Sequence, residues 1–505
     1  MLSGPAAPRG PSASYDFEEP MKTALEEALF LASPRLSPRP TPLLSVVIHG
    51  SVIALWFVLF ARAFFLHGLL AWSAGIAYIV YDTALLVFVT IKSLSLLRPT
   101  EAPLTEGPKV TLGVIVAAYN EANVLPDTLQ ALFEQSEVPD EIVIADDGST
   151  DSTGVLLAER YGITPAPDGQ ISAPSSIYPT LRWLRVVHGG KARALNAAIT
   201  SISADAMMTV DADTLLAPDA CRAMRRAFAA EPELVAAAGI LTPLCGKTAE
   251  GRFFQWFQTY EYIRNFVSRY AWMRAESLLL ISGAFACFRR EAILQVGGFD
   301  PECLVEDYEL IHRLRRYAVD HGVHWTVRVI GSAQAFTDAP STLASFLRQR
   351  RRWFAGFLQT QYWNRDMTGD RRYGKVGWLM LPVKAIDTVQ PIYGLTAFAL
   401  LLGFLFTGNF TIFGPAFGLI VGKIVIDLAF HLWSVYLYRR WTHNATTSSL
   451  GMAILAALAE PFTFQLLRHT GATLGWLQFV RRRQTWGTQH RAGLLGQRSS
   501  TRPVE

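Results

Sequence analysis

Two long apolar runs stand near the start of the chain. Residues 43–66 (LLSVVIHGSVIALWFVLFARAFFL) and 69–91 (LLAWSAGIAYIVYDTALLVFVTI) each suffice for a bilayer-spanning helix, which needs about 20 apolar residues. Few residues separate them, so 41–98 reads as a helical hairpin. Lys92 and Arg98 follow, and basic residues mark the cytosolic ends of such spans. Apolar runs return at 376–407 and 411–438, joined by the turn TGNF and closed by Arg439–Arg440. This second hairpin is assigned to 376–438. The segment 446–483 is mixed: 450–480 is apolar, but Glu460, Pro461, Gln465, Arg468 and His469 interrupt it. A lipid-facing span carries such residues at a cost, so the expectation is either a further membrane segment or an interfacial or re-entrant one.

Between 105 and 340 the pattern changes. Short β-branched runs (VTLGVIVAA, EIVIAD, RWLRVV, AMMTV) alternate with helix-like stretches such as EANVLPDTLQALFEQ and KARALNAAITSI. That alternation predicts an α/β domain with a largely parallel sheet, inserted between the two hairpins. Residues 1–40, rich in Pro, Ser and Ala, read as a disordered cytosolic tail rather than a cleaved signal. Residues 484–505 read as a second cytosolic tail.

Composition narrows this picture. Half of the 505 residues are apolar and 17% are charged, as a soluble domain with several membrane segments requires. The net charge of +4 gives no case for nucleic acid. Four cysteines, 221, 245, 287 and 303, lack metal or disulfide spacing and read as reduced thiols.

The chemistry lies at the strand ends. Open α/β sheets bind ligands beyond the carboxyl ends of their strands. There the chain places Tyr119, Asn120 and Glu121, then Asp146 and Asp147, then Lys191 behind two glycines, then Asp211 and Asp213. Each group alone has a local explanation as a turn or cap residue; four together argue for a site. Asp211 and Asp213 can face one hard cation, Mg2+ or Mn2+, which prefers oxygen ligands and also takes phosphate oxygens. Lys191 at a helix start can meet the same phosphates. Together they describe a nucleotide-activated substrate. Glu306 and Asp307 open a later helix; caps and acidic first turns explain them locally, while a diphosphate site makes Asp307 a candidate general base. The octapeptide QRRRWFAG, residues 349–356, sets three arginines against a tryptophan shortly before the second hairpin.

AAYNE, DDGSTD, GGKARALN, VDADT, SGAF, VED and QRRRW, in this order, closely resemble the membrane-bound processive members of glycosyltransferase family 2, the cellulose, chitin, hyaluronan and poly-N-acetylglucosamine synthases. The likeness covers about 105–360 and implies a GT-A-like, Rossmann-like fold. It implies that Glu121 and Asp147 hold the donor uridine, Lys191 the diphosphate, and Asp211 and Asp213 the metal, Asp213 directly. Asp307 matches the base of the T/G-E-D motif, although Val305 replaces the Thr or Gly. Gln349, Arg352 and Trp353 match Q-x-x-R-W on an interfacial helix within 341–375. Arg352 would neutralise the leaving diphosphate and Trp353 would stack on the acceptor sugar. Arg350 and Arg351 are expected to touch lipid head groups. WGTQ, from Trp486, resembles the W-G-T-R gating motif, with Gln489 in place of its arginine.

The resulting expectation is an inverting, processive transferase in the cell membrane. It polymerises UDP-N-acetylglucosamine or UDP-glucose into a β-linked extracellular polysaccharide. Its partners are the nucleotide-sugar donor, the growing glycan and the bilayer; the sequence leaves open whether an accessory subunit joins them. The alternatives are a non-processive transferase acting on a lipid carrier and a non-catalytic channel. The three carboxylates Asp211, Asp213 and Asp307 count against the last.

Overall fold

The computed structural model describes residues 18–98, 109–443 and 449–482. Its centre is an eight-stranded sheet of β1 (Leu112–Ala118), β2 (Glu141–Asp146), β3 (Leu181–Arg185), β4 (Ala206–Asp211), β5 (Thr214–Leu216), β6 (Leu234–Leu244), β7 (Phe285–Arg289) and β8 (Thr326–Asp338). The order is β3-β2-β1-β4-β7-β6-β8-β5. The half containing the four expected strands is parallel. Its strands are buried and rich in Val, Ile and Leu, as sheets covered on both faces require. The other half is mixed: β7 runs antiparallel between β4 and β6, and β5 antiparallel to β8, while β6 and β8 are parallel. The sheet is therefore more mixed than the sequence pattern implies. Gly239 on β6 lets the Phe285 ring lie against the backbone, since a Cβ there would sit 2.0 Å from the ring.

Among the described residues, four helices are long and apolar enough to cross a membrane: Leu43–Phe65, Gly68–Leu97, Val376–Phe406 and Phe410–Thr442. Leu450–Phe462 and Phe464–Val480 form a pair bent by 49°, in line with the interrupted pattern. Polar side chains within this apolar bundle meet one another rather than lipid. Lys423 pairs with Asp82 at 2.6 Å and with Asp427, and Tyr81 donates to Asp387 at 2.5 Å.

A long helix, Ala249–Arg274, capped by the Thr248 hydroxyl, joins the sheet domain to the bundle. The helix Leu343–Trp363, expected from the sequence to be interfacial and called the interfacial helix on that ground, starts in a capping box of Thr342 and Ser345. Phe254, Phe346 and Phe464 interlock at centroid distances of 5.0 Å (Phe254–Phe346 and Phe346–Phe464) and 6.5 Å (Phe254–Phe464), so three segments share one aromatic core. Gly471 and Gly475 permit the close seam between Phe464–Val480 and the interfacial helix. A Cβ at those positions would fall 2.6 Å from Arg350 Cβ and 2.8 Å from Phe354 Cβ.

The expected disorder of residues 1–40 does not hold for 18–32, which form a helix, Glu18–Ala32, with Leu25 and Leu29 buried. The amphipathic spacing of these leucines supplies a face that the sheet domain covers.

Candidate active site

Strand register assembles the site. Ala118 lies beside Asp146, and Ala117 beside Asp211, so the turns after β1, β2 and β4 open on one edge. Asn120 adopts φ 57°, a left-handed conformation that Asn tolerates. Its side-chain oxygen accepts from the backbone N–H of Thr150 at 2.8 Å and Asp151 at 3.1 Å, which locks the first turn to the second. Glu121, partly exposed, follows in the same turn. Asp146 is fully buried and shapes its own turn, accepting from Ser149 N at 2.8 Å and the Trp183 indole at 3.2 Å.

Asp147 reaches toward the third turn. Its carboxylate accepts from Gly189 N at 2.8 Å and Gly190 N at 3.0 Å and lies 2.9 Å from His188 Nδ1. The His188 ring stacks on Tyr119 at 4.4 Å. His188 was not among the expected site residues, although it opens the HGGKARALN stretch. The pair places an exposed aromatic surface at the rim of the site, next to Asp147.

Gly190, at φ 99°, turns the chain into the helix Lys191–Ser201. Lys191 Nζ lies 2.5 Å from Asp211 Oδ1 and 3.8 Å from Glu306 Oε1. Burial opposes the charge on Lys191, but Asp211, Glu306 and Asp307 outweigh it and hold the ammonium above its ordinary range. The Glu306 carboxyl is pushed up to about 7, chiefly by burial; Lys191 lowers it and Asp307 raises it. Asp213, buried, precedes β5, and its backbone oxygen accepts from Asp338 N at 3.2 Å.

Asp307, in the first turn of the helix Glu306–Asp320, is fixed from two sides. Its Oδ2 accepts from Gly283 N at 2.6 Å and its Oδ1 from Tyr308 N at 2.8 Å. Gly283, of the SGAF stretch, allows this approach: a Cβ there would lie 3.1 Å from Asp307 Cβ. Arg352 donates to Leu304 O at 3.1 Å, three residues before Asp307. Burial lowers the pKa of Arg352, while Glu306, Asp307 and Asp211 act the other way. The interfacial helix therefore brings its guanidinium into the field of the three carboxylates.

Gln349 and Trp353 lie on the same helix. Gln349 Oε1 is buried with no hydrogen-bond partner among the described residues. Arg350 does not face lipid, contrary to expectation. It grips Glu261 of the long helix through two bonds of 2.8 and 2.6 Å, and its guanidinium lies 4.8 Å from the Trp353 ring centre. Trp486 falls outside the described residues.

Comparison with known proteins decides the family. The glycosyl transferase family 2 model matches residues 113–297, and that of glycosyl transferase family group 2 matches residues 206–476. The chain belongs to glycosyltransferase family 2. It is 30% identical over 244 residues to a poly-beta-1,6-N-acetyl-D-glucosamine synthase of Staphylococcus aureus (48% of this chain, 53% of the relative). It is 28% identical over 264 residues to the synthase of that name from Staphylococcus epidermidis (52% of this chain, 57% of the relative). The glycosyltransferase thus spans little more than half the length of these relatives. A mannosyltransferase of Pyrobaculum calidifontis, solved with GDP-Man and Mn2+, has a similar fold (TM-score 0.51, 20% identity, 78% of this chain and 99% of that one).

Among the described residues no three or more His, Cys, Asp or Glu side chains form a metal cage. Asp211, a third of whose side chain is exposed, and Asp213 offer hard oxygen donors from one short turn. That donor set fits a hard cation whose remaining ligands are water and phosphate oxygens.

Proposed function

We propose that this chain is an inverting, processive polymerase that transfers N-acetylglucosamine from UDP-N-acetylglucosamine to a growing β-linked glycan. The observation that carries the reading is the bridging position of Lys191, between the strand-end Asp211 and the Glu306–Asp307 pair, with Arg352 held near them. A donor diphosphate suits that cation-lined space, and an acceptor hydroxyl suits the carboxylate beyond it.

In this reading Tyr119, Glu121, Asp147 and His188 border the nucleoside. Asp211 and Asp213 would hold Mg2+ or Mn2+, which would neutralise diphosphate charge. Lys191 and Arg352 add positive charge where the leaving UDP gathers its negative charge. Asp307 takes the proton of the acceptor hydroxyl as its oxygen attacks the anomeric carbon, and UDP departs on the opposite face. Glu306 sets the local field beside Lys191. Trp353, one face covered by Arg350, offers the other to the acceptor sugar. The apolar helices and their flanking basic residues support a catalytic domain on the cytosolic side of the cell membrane. The polar groups among them, Asp82, Asp387 and Lys423, favour passage of a polar chain between the spans.

The test is incubation of membranes containing the protein with a panel of radiolabelled UDP-sugars. Incorporation of N-acetylglucosamine into long, alkali-stable chains is expected. A single sugar on an extractable lipid would establish the non-processive alternative, and no incorporation from any donor would refute both.

A further inference from the structure

The loop Val296–Val305 links the sheet domain to Glu306 and Asp307, and four other segments hold it. Asn196, in the helix begun by Lys191, accepts from Phe299 N and donates to Phe299 O, both at 2.8 Å. Arg313, buried and paired with Glu309, donates to Val296 O and to Gly298 O at 2.5 and 2.7 Å. Gln359 of the interfacial helix accepts from Leu304 N at 3.1 Å and donates to Glu302 O at 2.9 Å. The fourth contact comes from the segment that precedes the first membrane helix.

Arg35 in that segment forms a two-pronged pair with Asp300, Nε to Oδ2 and Nη2 to Oδ1, each 2.9 Å. The Asp300 side chain is wholly buried. Ser33 donates to Asp300 as well, at 3.3 Å. Just before them Leu29 closes over Gly297, where a Cβ would lie 2.1 Å from the Leu29 nitrogen. The Arg35 guanidinium also lies 5.9 Å from the Trp363 ring, at the end of the interfacial helix. A forked guanidinium on a buried carboxylate is directional, so it fixes an angle as well as a distance.

We infer that Arg35 and Asp300 are positioning residues for the Glu306–Asp307 pair: the segment Leu25–Arg35 is a strap that sets where the base stands against the Lys191 cluster and Arg352. This rests on the polymerase reading for its catalytic consequence, but not for its structural one. The contacts of Arg35 are Asp300, Ser33 and Trp363, none of them a donor or acceptor residue in that reading; its reach to the chemistry runs along the backbone from Asp300 to Asp307. Small displacements of a reacting group cost large factors in rate.

The experiment uses the full chain in nanodiscs, as wild type, Arg35→Ala, Arg35→Lys and Asp300→Asn. Hydrogen exchange is followed by mass spectrometry, and UDP release is followed with UDP-N-acetylglucosamine. Arg35→Ala should speed exchange in peptides covering 298–307 while those of β1 and β4 stay unchanged. Turnover should fall about 10- to 100-fold with donor KM within about twofold. Asp300→Asn should behave alike, and Arg35→Lys, which keeps charge but not the fork, should lie between. Unchanged exchange in 298–307, or faster exchange throughout the domain, would overturn the strap. Local loosening with turnover within about twofold of wild type would overturn its link to catalysis. Absence of turnover in the wild type would refute the polymerase reading alone, leaving exchange to decide on the strap.

Discussion

Lys191 Nζ lies 2.5 Å from Asp211 Oδ1, so the cation at the helix start already occupies a carboxylate at the strand end. A donor diphosphate entering between them exchanges one partner of Lys191 for another. Lys191→Met should therefore raise donor KM by tenfold or more and also slow turnover, because it takes from Asp211, Glu306 and Asp307 a cation that acts on all three and leaves them Arg352. Titration of UDP release against UDP-sugar would show it; an unchanged KM would remove Lys191 from the donor site.

Asp307→Asn should abolish transfer while donor binding persists. Loss of a general base costs about two to four orders of magnitude in rate. The amide oxygen can still accept from Gly283 N or Tyr308 N but not serve both as the carboxylate does, so some stability will be lost as well. Comparing UDP binding by calorimetry with turnover separates the two effects. Turnover within a few-fold of wild type would exclude Asp307 as the base.

Chelation should stop turnover, and Mg2+ or Mn2+ should restore it. Asp211→Asn should raise the metal concentration needed for half-activity. Full turnover in metal-free buffer would make the Asp211–Asp213 turn purely structural.

Glu306 predicts a stability profile. Its folded carboxyl titrates at about 7, above the roughly 4.3 of an unfolded glutamate. Between those values the native state holds more protons than the unfolded one, so stability falls as pH rises through the window and levels off above it. Melting of the donor-free protein in detergent should show this decline, and Glu306→Gln should lack that part of it. An identical decline in the variant would assign it elsewhere.

Trp353→Ala should shorten the polymer far more than it slows hydrolysis of the UDP-sugar by water. An aromatic face suits the CH face of a pyranose, and loss of it leaves Lys191, Asp211 and Asp307 in place. Equal losses in both activities would instead make Trp353 an anchor of the interfacial helix.

The gathering of the candidate residues at one sheet edge was legible because they sit where short-range pattern is strongest. β-branched runs ending in Asn, Asp or Gly-Gly-Lys mark both strand and edge, and parallel register does the rest. Beyond β4 the pattern weakens. β6 carries three successive alanines and a glycine, which lower its β-propensity, and its partner β8 lies far along the chain, so no local spacing announces the pair. Glu18–Ala32 escaped notice because a Pro- and Ser-rich context hid the i, i+4 pair Leu25 and Leu29. The acidic residues and proline of its first turn were the available sign of a helix start. Arg350 misled for a different reason: basic residues beside an aromatic suit a membrane surface equally well, and only folding brings Glu261 to them.

The glycine seam has a bearing on the timing of biosynthesis. The interfacial helix that carries Arg352 and Trp353 rests on Phe464–Val480 through Gly471 and Gly475, yet the ribosome makes Phe464–Val480 only after both later membrane helices. A nascent chain that already holds Asp211, Asp307 and Arg352 therefore lacks the surface against which Arg350 and Phe354 lie. The helix Leu343–Trp363 therefore reaches its final packing only once Phe464–Val480, the last of the described helices, has been made.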